Sequence, residues 1–135
     1  ACSEIDRFDL RTLQWSTVEV ARVEIVSGAA VTLPDGIYLL GGEVSCRITS
    51  QLLRFDPTTN HITQLPDMRL PRKDHAALVT GIFDVIYVGG GQTIKGAATD
   101  KVEQYDVQLS RWIIVAPLKI ARKACAASFA CITQT

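Results

Sequence analysis

The feature that most constrains this 135-residue chain is a set of landmarks recurring in the same order about every 50 residues. Two short apolar runs, Ile37-Tyr38-Leu39-Leu40 and Ile86-Tyr87-Val88, stop at the glycine pairs Gly41-Gly42 and Gly89-Gly90, 48 residues apart. An aromatic-Asp dipeptide follows each pair, Phe55-Asp56 and then Tyr105-Asp106, and a third, Phe8-Asp9, precedes the first pair. Arg22, Arg72 and Arg122 are spaced by 50 and 50. A fixed period of this length marks a repeat protein, in which one supersecondary unit stacks on its neighbours to bury apolar surface it cannot hide alone.

Each copy offers four short stretches of strand composition, enough for a small antiparallel sheet with two apolar faces. Four strands in about 50 residues are the signature of a β-propeller blade. The expected strands are Glu4–Phe8, Gln14–Val18, Val26–Leu33, Ile37–Leu40, Ser50–Phe55, His61–Gln64, Ala76–Thr80, Val85–Val88, Lys101–Tyr105, Trp112–Ala116 and Ala124–Thr133. Pro34-Asp35-Gly36 and Pro57-Thr58-Thr59-Asn60 supply turns between them. The glycine pairs are expected where the chain turns near a crowded centre and a Cβ would clash. No apolar set keeps a 3.6-residue period over two turns, so no helix is expected.

The expected organisation is all-β: a partial blade over 1–22, full blades over 23–71 and 72–121, and the first strand of another over 122–135. Propellers close with about four to eight blades. The missing blades are therefore expected in cis, as part of a longer protein, or through self-association. The N-terminus, which cuts a repeat in half, favours the former.

These landmarks resemble the Kelch repeat. The third copy carries the family pattern as Pro71-Arg72-Lys73-Asp74-His75, Ile86 to Gly90, Val102-Glu103-Gln104-Tyr105-Asp106 and Trp112, followed by Pro117-Leu118. The second copy departs from it, with Leu53 in place of the usual Glu and Ile62 in place of Trp. The first begins midway, with Asp6-Arg7-Phe8-Asp9 and Trp15. By this resemblance Glu103 partners a repeat arginine, Arg72 or Arg122; Asp106, after Tyr105, is expected to accept backbone N–H bonds at a turn, as Asp commonly does.

Composition narrows the function. Fourteen basic and fourteen acidic residues are mixed along the chain, giving no net charge and no basic stripe. Nucleic-acid binding, which needs clustered Lys and Arg, is not expected. No run reaches the ~18 apolar residues that cross a bilayer, so no membrane span is expected. Four cysteines, at 2, 46, 125 and 131, show no Cys-x-x-Cys pair. They read as buried free thiols of a reducing compartment, which points to the cytoplasm.

Catalytic signals are weak. Gly91 to Gly96 has phosphate-loop spacing, but Ala97-Ala98 stand where Lys-Ser/Thr is required. There is no Gly-x-Ser-x-Gly elbow, and the two histidines, His61 and His75, are not spaced for zinc. The galactose-oxidase type of Kelch-like propeller needs a Tyr/Cys/His set around copper, and these histidines and the three tyrosines do not supply one. No enzyme activity, cofactor or metal is expected.

What remains is recognition through loops held by a rigid scaffold. The loops Glu43–Ser50 and Gly91–Asp100 follow the glycine pairs, with Arg47 and Lys95 as their cations and Ser45 and Thr93 beside them. Lys73, Asp74 and Lys123 are expected on the same face by the resemblance. Many relatives are substrate receptors in which an upstream BTB domain engages cullin-3 in a ubiquitin ligase; others bind actin or scaffold the cytoskeleton. The expected function is a partner-binding propeller of the first kind, with the second as alternative.

Overall fold

The computed structural model describes residues 2–21, 23–80 and 84–130, which consist of strands, turns and loops. The strands are β1 (Cys2–Asp9), β2 (Gln14–Ala21), β3 (Ala29–Leu33), β4 (Gly36–Leu40), β5 (Glu43–Val44), β6 (Arg47–Ile48), β7 (Leu52–Asp56), β8 (His61–Leu65), β9 (Ala76–Thr80), β10 (Val85–Gly89), β11 (Val102–Asp106) and β12 (Arg111–Val115). They form two four-stranded antiparallel sheets, β3-β4-β7-β8 and β9-β10-β11-β12, with β1-β2 and β5-β6 as separate hairpins. The fold is all-β, and its two complete blades are those the periodicity predicts.

Register shows that the copies are equivalent. Phe55 faces Ile62, Tyr105 faces Trp112, and Phe8 faces Trp15 at the same step of each outer hairpin. The β1-β2 hairpin is therefore the outer half of a blade. Each aromatic-Asp dipeptide ends its strand by capping the turn. Asp9 accepts the Arg11 N–H (2.8 Å), Asp56 the Thr58 N–H (2.8 Å) and Asp106 the Leu109 N–H (2.9 Å). These backbone bonds favour the ionised carboxylate and hold the pKa of Asp9 and Asp56 below the usual range. Leu13, Asn60 and Ser110, all with positive φ, then carry the chain into the outer strand.

The core lies between the two sheets. Val31, Leu33, Tyr38, Leu40, Leu52 and Met68 pack with Ile86, Val88, Tyr105 and Trp112. Neither sheet could bury these side chains alone, which is the physical reason the repeats stack.

Four expectations change. The second twisted glycine pair is Gly90-Gly91 (φ 68° and 97°), the counterpart of Gly41-Gly42 (57° and 85°), whereas Gly89 ends β10 opposite Val102. Sequence reading slid by one because three glycines stand in a row. The crowding is real: a Cβ on Gly41 would lie 2.6 Å from the Arg72 carbonyl, and one on Gly90 2.6 Å from that of Arg122.

Arg22 lies outside the described residues, and it is Ile25 that matches Arg72. The Val26–Glu43 bridge repeats Lys73–Gln92, and each bridge immediately follows the matched residue. The strand expected from Val26 begins at Ala29, because Ser27 (φ 58°) kinks the chain before it. Finally, 124–130, the described part of the strand expected over 124–133, join no ladder among the described residues. Residues 131–135 lie outside the described residues.

Candidate protein-binding site

A recognition face must first be held rigid, and the joint between the two sheets does this. Arg72 and Glu103 are 0% and 1% exposed, and the Arg72 Nη2 to Glu103 Oε2 distance is 2.8 Å. Arg72 Nη1 also donates to the carbonyls of Gly90 and Lys101, both at 2.9 Å. Glu103 accepts two backbone N–H groups from the turn leaving the preceding sheet, Arg69 at 2.7 Å and Leu70 at 3.2 Å. Burial pulls the pKa of Arg72 down, against the upward pull of the Glu103 carboxylate. Trp112 completes the clasp, its indole N–H donating to the Pro66 carbonyl at 2.8 Å. One sheet thus grips the exit turn of the other through a carboxylate, an arginine and a tryptophan.

The resemblance expected Glu103 to find Arg72 or Arg122, and Arg72 is the partner. Arg122 is exposed and has no acidic partner among the described residues. Its backbone nevertheless docks on Gly91 as Arg72 docks on Gly42, with N–H···O distances of 2.7 and 2.8 Å. Leu53, in the position matching Glu103, is buried.

His75 is 6% exposed and wedges between the two glycine turns, with its ring beside Gly41 and its Cβ beside Gly91. Neither of its ring nitrogens makes a well-formed hydrogen bond. Burial and the nearby Arg72 charge push its pKa down to about 4, against weaker upward pulls from the Leu40 backbone and Asp74. It acts as a neutral packing group.

The loops after the glycine pairs carry the remaining candidates. The first is more regular than expected: β5 and β6 form a hairpin whose turn residues, Ser45 and Cys46, both have positive φ (48° and 62°). That turn exposes Cys46, which was expected to be buried; Cys125 is half-buried. The second loop is tied by the Thr93 amide donating to the Ala97 carbonyl (3.1 Å) and leaves Lys95 exposed. Between the loops runs a groove of about 420 Å³, lined by Glu43, Cys46, Arg47, Ile48, Lys73 and Ile94.

Lys73 and Lys123, expected to face a partner, each bond to a residue of the adjacent repeat. The Lys73 ammonium pairs with Glu43, and Lys123 Nζ donates to Gln92 Oε1 at 3.3 Å. Asp74 does the same through its backbone, its N–H donating to Ser27 O (2.9 Å) and its carbonyl accepting the Ala124 N–H (2.8 Å). Arg47 and Lys95 are left as the loop cations with no acidic partner among the described residues. No group of three or more His, Cys, Asp or Glu among the described residues could hold a metal ion, and no helix there is long and apolar enough to cross a membrane.

Comparison with known proteins agrees with this architecture. Residues 26–69 match the Kelch motif family model. The chain is similar to Kelch-like protein 7 of Rattus norvegicus, 39% identical over 79 residues, covering 58% of this chain and 13% of that protein. It is also similar to Kelch-like protein 15 of Homo sapiens (29% over 111 residues, 78% and 18%). A putative F-box/kelch-repeat protein of Arabidopsis thaliana matches at 34% over 98 residues (73% and 26%). The matched stretch thus spans roughly an eighth to a quarter of these curated relatives.

Proposed function

The chain belongs to the Kelch-repeat family, and from that premise we propose that it recruits a substrate protein to a cullin-3 ubiquitin ligase through its loop face. Kelch repeats are generally protein-interaction modules, so binding rather than catalysis is the function assigned. The observation that carries the reading is the groove between the two loops. Its apolar walls, Ile48 and Ile94, lie beside exposed Arg47, and Lys95 adjoins Ile94. The joints already engage Lys73 and Lys123, so Arg47 and Lys95 are the cations this face offers to a partner. Cullin would be engaged by a BTB domain elsewhere in the protein, and the free thiols Cys46 and Cys125 suit the cytoplasm.

The test is affinity capture from cells with the full-length protein, comparing the parent with Arg47→Glu and Lys95→Glu. Recovery of cullin-3 by all three, with a captured protein lost only from the loop variants, supports the reading. Co-sedimentation with actin filaments and no cullin would replace it with the cytoskeletal alternative.

A further inference from the structure

The outer strand of each repeat is a sheet edge, and one of these edges differs from the other two. Trp15, Ile62 and Trp112 share a register step. The next two positions are Ser16 and Thr17 on β2, Thr63 and Gln64 on β8, and Ile113 and Ile114 on β12. Two edges thus present polar side chains where the third presents isoleucines, and Leu109, in the turn that leads into β12, is exposed as well. A sheet edge offers a row of unpaired N–H and C=O groups, which proteins blunt with polar or charged residues, proline or a bulge. The centre of β12, Trp112-Ile113-Ile114, has none of these, and its one charge, Arg111, sits at the end. The strand pairs with β11 at five successive residues without a bulge, and no described strand pairs its other side.

The sheets stack through their faces, so a stacked sheet does not cover this edge. Trp112 and Glu103 both reach the preceding sheet, at Pro66 and at Arg69 and Leu70. Ile114 is two residues from Trp112 and lies opposite Glu103, which puts it on that same face. The preceding sheet is in place there, yet Ile114 is 57% exposed. Its exposure comes from its position at the rim.

We propose that β12 pairs antiparallel with β12 of a second copy, about a two-fold axis at Ile113. The strand is its own complement in this register. Ile113 lies beside Ile113 of the other copy, Trp112 beside Ile114, and Arg111 beside Val115. Large apolar and β-branched residues are favoured cross-strand neighbours, and the two arginines are kept at opposite ends, so no like charges are opposed. The four-stranded sheet of each copy then runs on into the other. The same surface serves both copies, as a two-fold interface requires. Five residues a side is far short of the roughly 20–30 of a standard interface, so the association is weak and reversible.

A weak pairing is read by trapping it. The full-length protein carrying Ile113→Cys is treated with a short bis-maleimide at rising concentration, beside the parent and Thr63→Cys, the same position on β8. The parent sets the background from exposed Cys46, and mass spectrometry identifies the joined residues. Ile113→Cys should give a covalent dimer linked through residue 113 of both copies, with a yield at least about tenfold above Thr63→Cys. Adding Ile114→Lys, or Ile114→Gln, which copies the polar residue of β8, should cut that yield about tenfold. These side chains are exposed, and circular dichroism verifies that each variant keeps its sheet. Absence of the 113–113 product, equal yield from Thr63→Cys, or a yield indifferent to position 114 overturns the proposal. In a cell lysate, residue 113 joined to a different protein and never to its own copy overturns it too, giving the edge to a foreign strand.

Discussion

The Arg72–Glu103 clasp invites the sharpest perturbation. Glu103→Ala removes the acceptor for the Arg72 guanidinium and for the Arg69 and Leu70 amides, in a site where the pair is 0% and 1% exposed. An uncompensated buried charge costs about 3–5 kcal/mol, a large part of the 5–15 kcal/mol that holds a typical domain. For a chain of this size each kcal/mol lowers Tm by about 3 °C, so a fall of roughly 10–15 °C is expected. Arg72→Met/Glu103→Leu should recover much of this, since an apolar pair of similar volume replaces a buried ion pair at little cost. The neighbouring sheet supplies the precedent, with Leu53 buried at the matching position. The double variant still leaves the Arg69 and Leu70 amides unpaired, so recovery should stop about 2 kcal/mol short. Urea unfolding of the parent, both singles and the double gives the cycle, with an expected coupling of at least about 2 kcal/mol. A single-variant loss below about 1 kcal/mol, or a coupling near zero, would refute the claim that this pair locks the joint.

Other outcomes follow from the same geometry. His75 titrates near 4 when folded against 6.5 unfolded. The unfolded chain therefore binds the extra proton between those values, and about 3 kcal/mol of stability present above pH 6.5 is lost on acidification toward pH 4. Comparing urea midpoints at pH 7.5 and 5 checks this, and a His75→Leu variant should show the flatter profile. Gly41→Ala puts a Cβ 2.6 Å from the Arg72 carbonyl at φ 57°, whereas Gly96→Ala at φ 80° meets nothing within 4 Å. The first should cost about 2–4 kcal/mol and the second about 1 kcal/mol in thermal unfolding. Arg47→Glu and Lys95→Glu, on exposed loops, should shift stability by less than about 0.5 kcal/mol while weakening partner capture. A sharp fall in Tm for either would mean that these side chains belong to the scaffold.

Most strands of the two complete sheets were legible because they rest on local signals: an apolar run, a turn, and an Asp that caps it. The capping role of Asp106 follows from the ordinary turn chemistry of Asp and the pairing of Glu103 with an arginine from the repeat resemblance, and the distances agree with both. What escaped were matters of register and of neighbours. Three consecutive glycines, 89 to 91, do not say which two adopt positive φ; the incoming chain at Arg122 and Lys73 decides that. An equal arginine spacing gave Arg22 the role that Ile25 holds, because the linker before β3 is of a different length. Lys73 and Lys123 looked like surface cations, and only the fold brings Glu43 and Gln92 to them. The exposure of Cys46 depends on a two-residue hairpin turn whose residues, Ser and Cys, carry no strong turn signal.

Amide hydrogen exchange resolved by residue tests most directly the claim that one joint geometry repeats along this chain and, among the described residues, is filled between its two complete sheets. In dilute solution the Arg69 and Leu70 amides, held by Glu103, should exchange nearly as slowly as those of β4, β7, β10 and β11. The Lys119 and Ile120 amides, at the matching places on the open turn, should exchange orders of magnitude faster. Equal protection at the two turns, or rapid exchange at Arg69 and Leu70, would contradict the account.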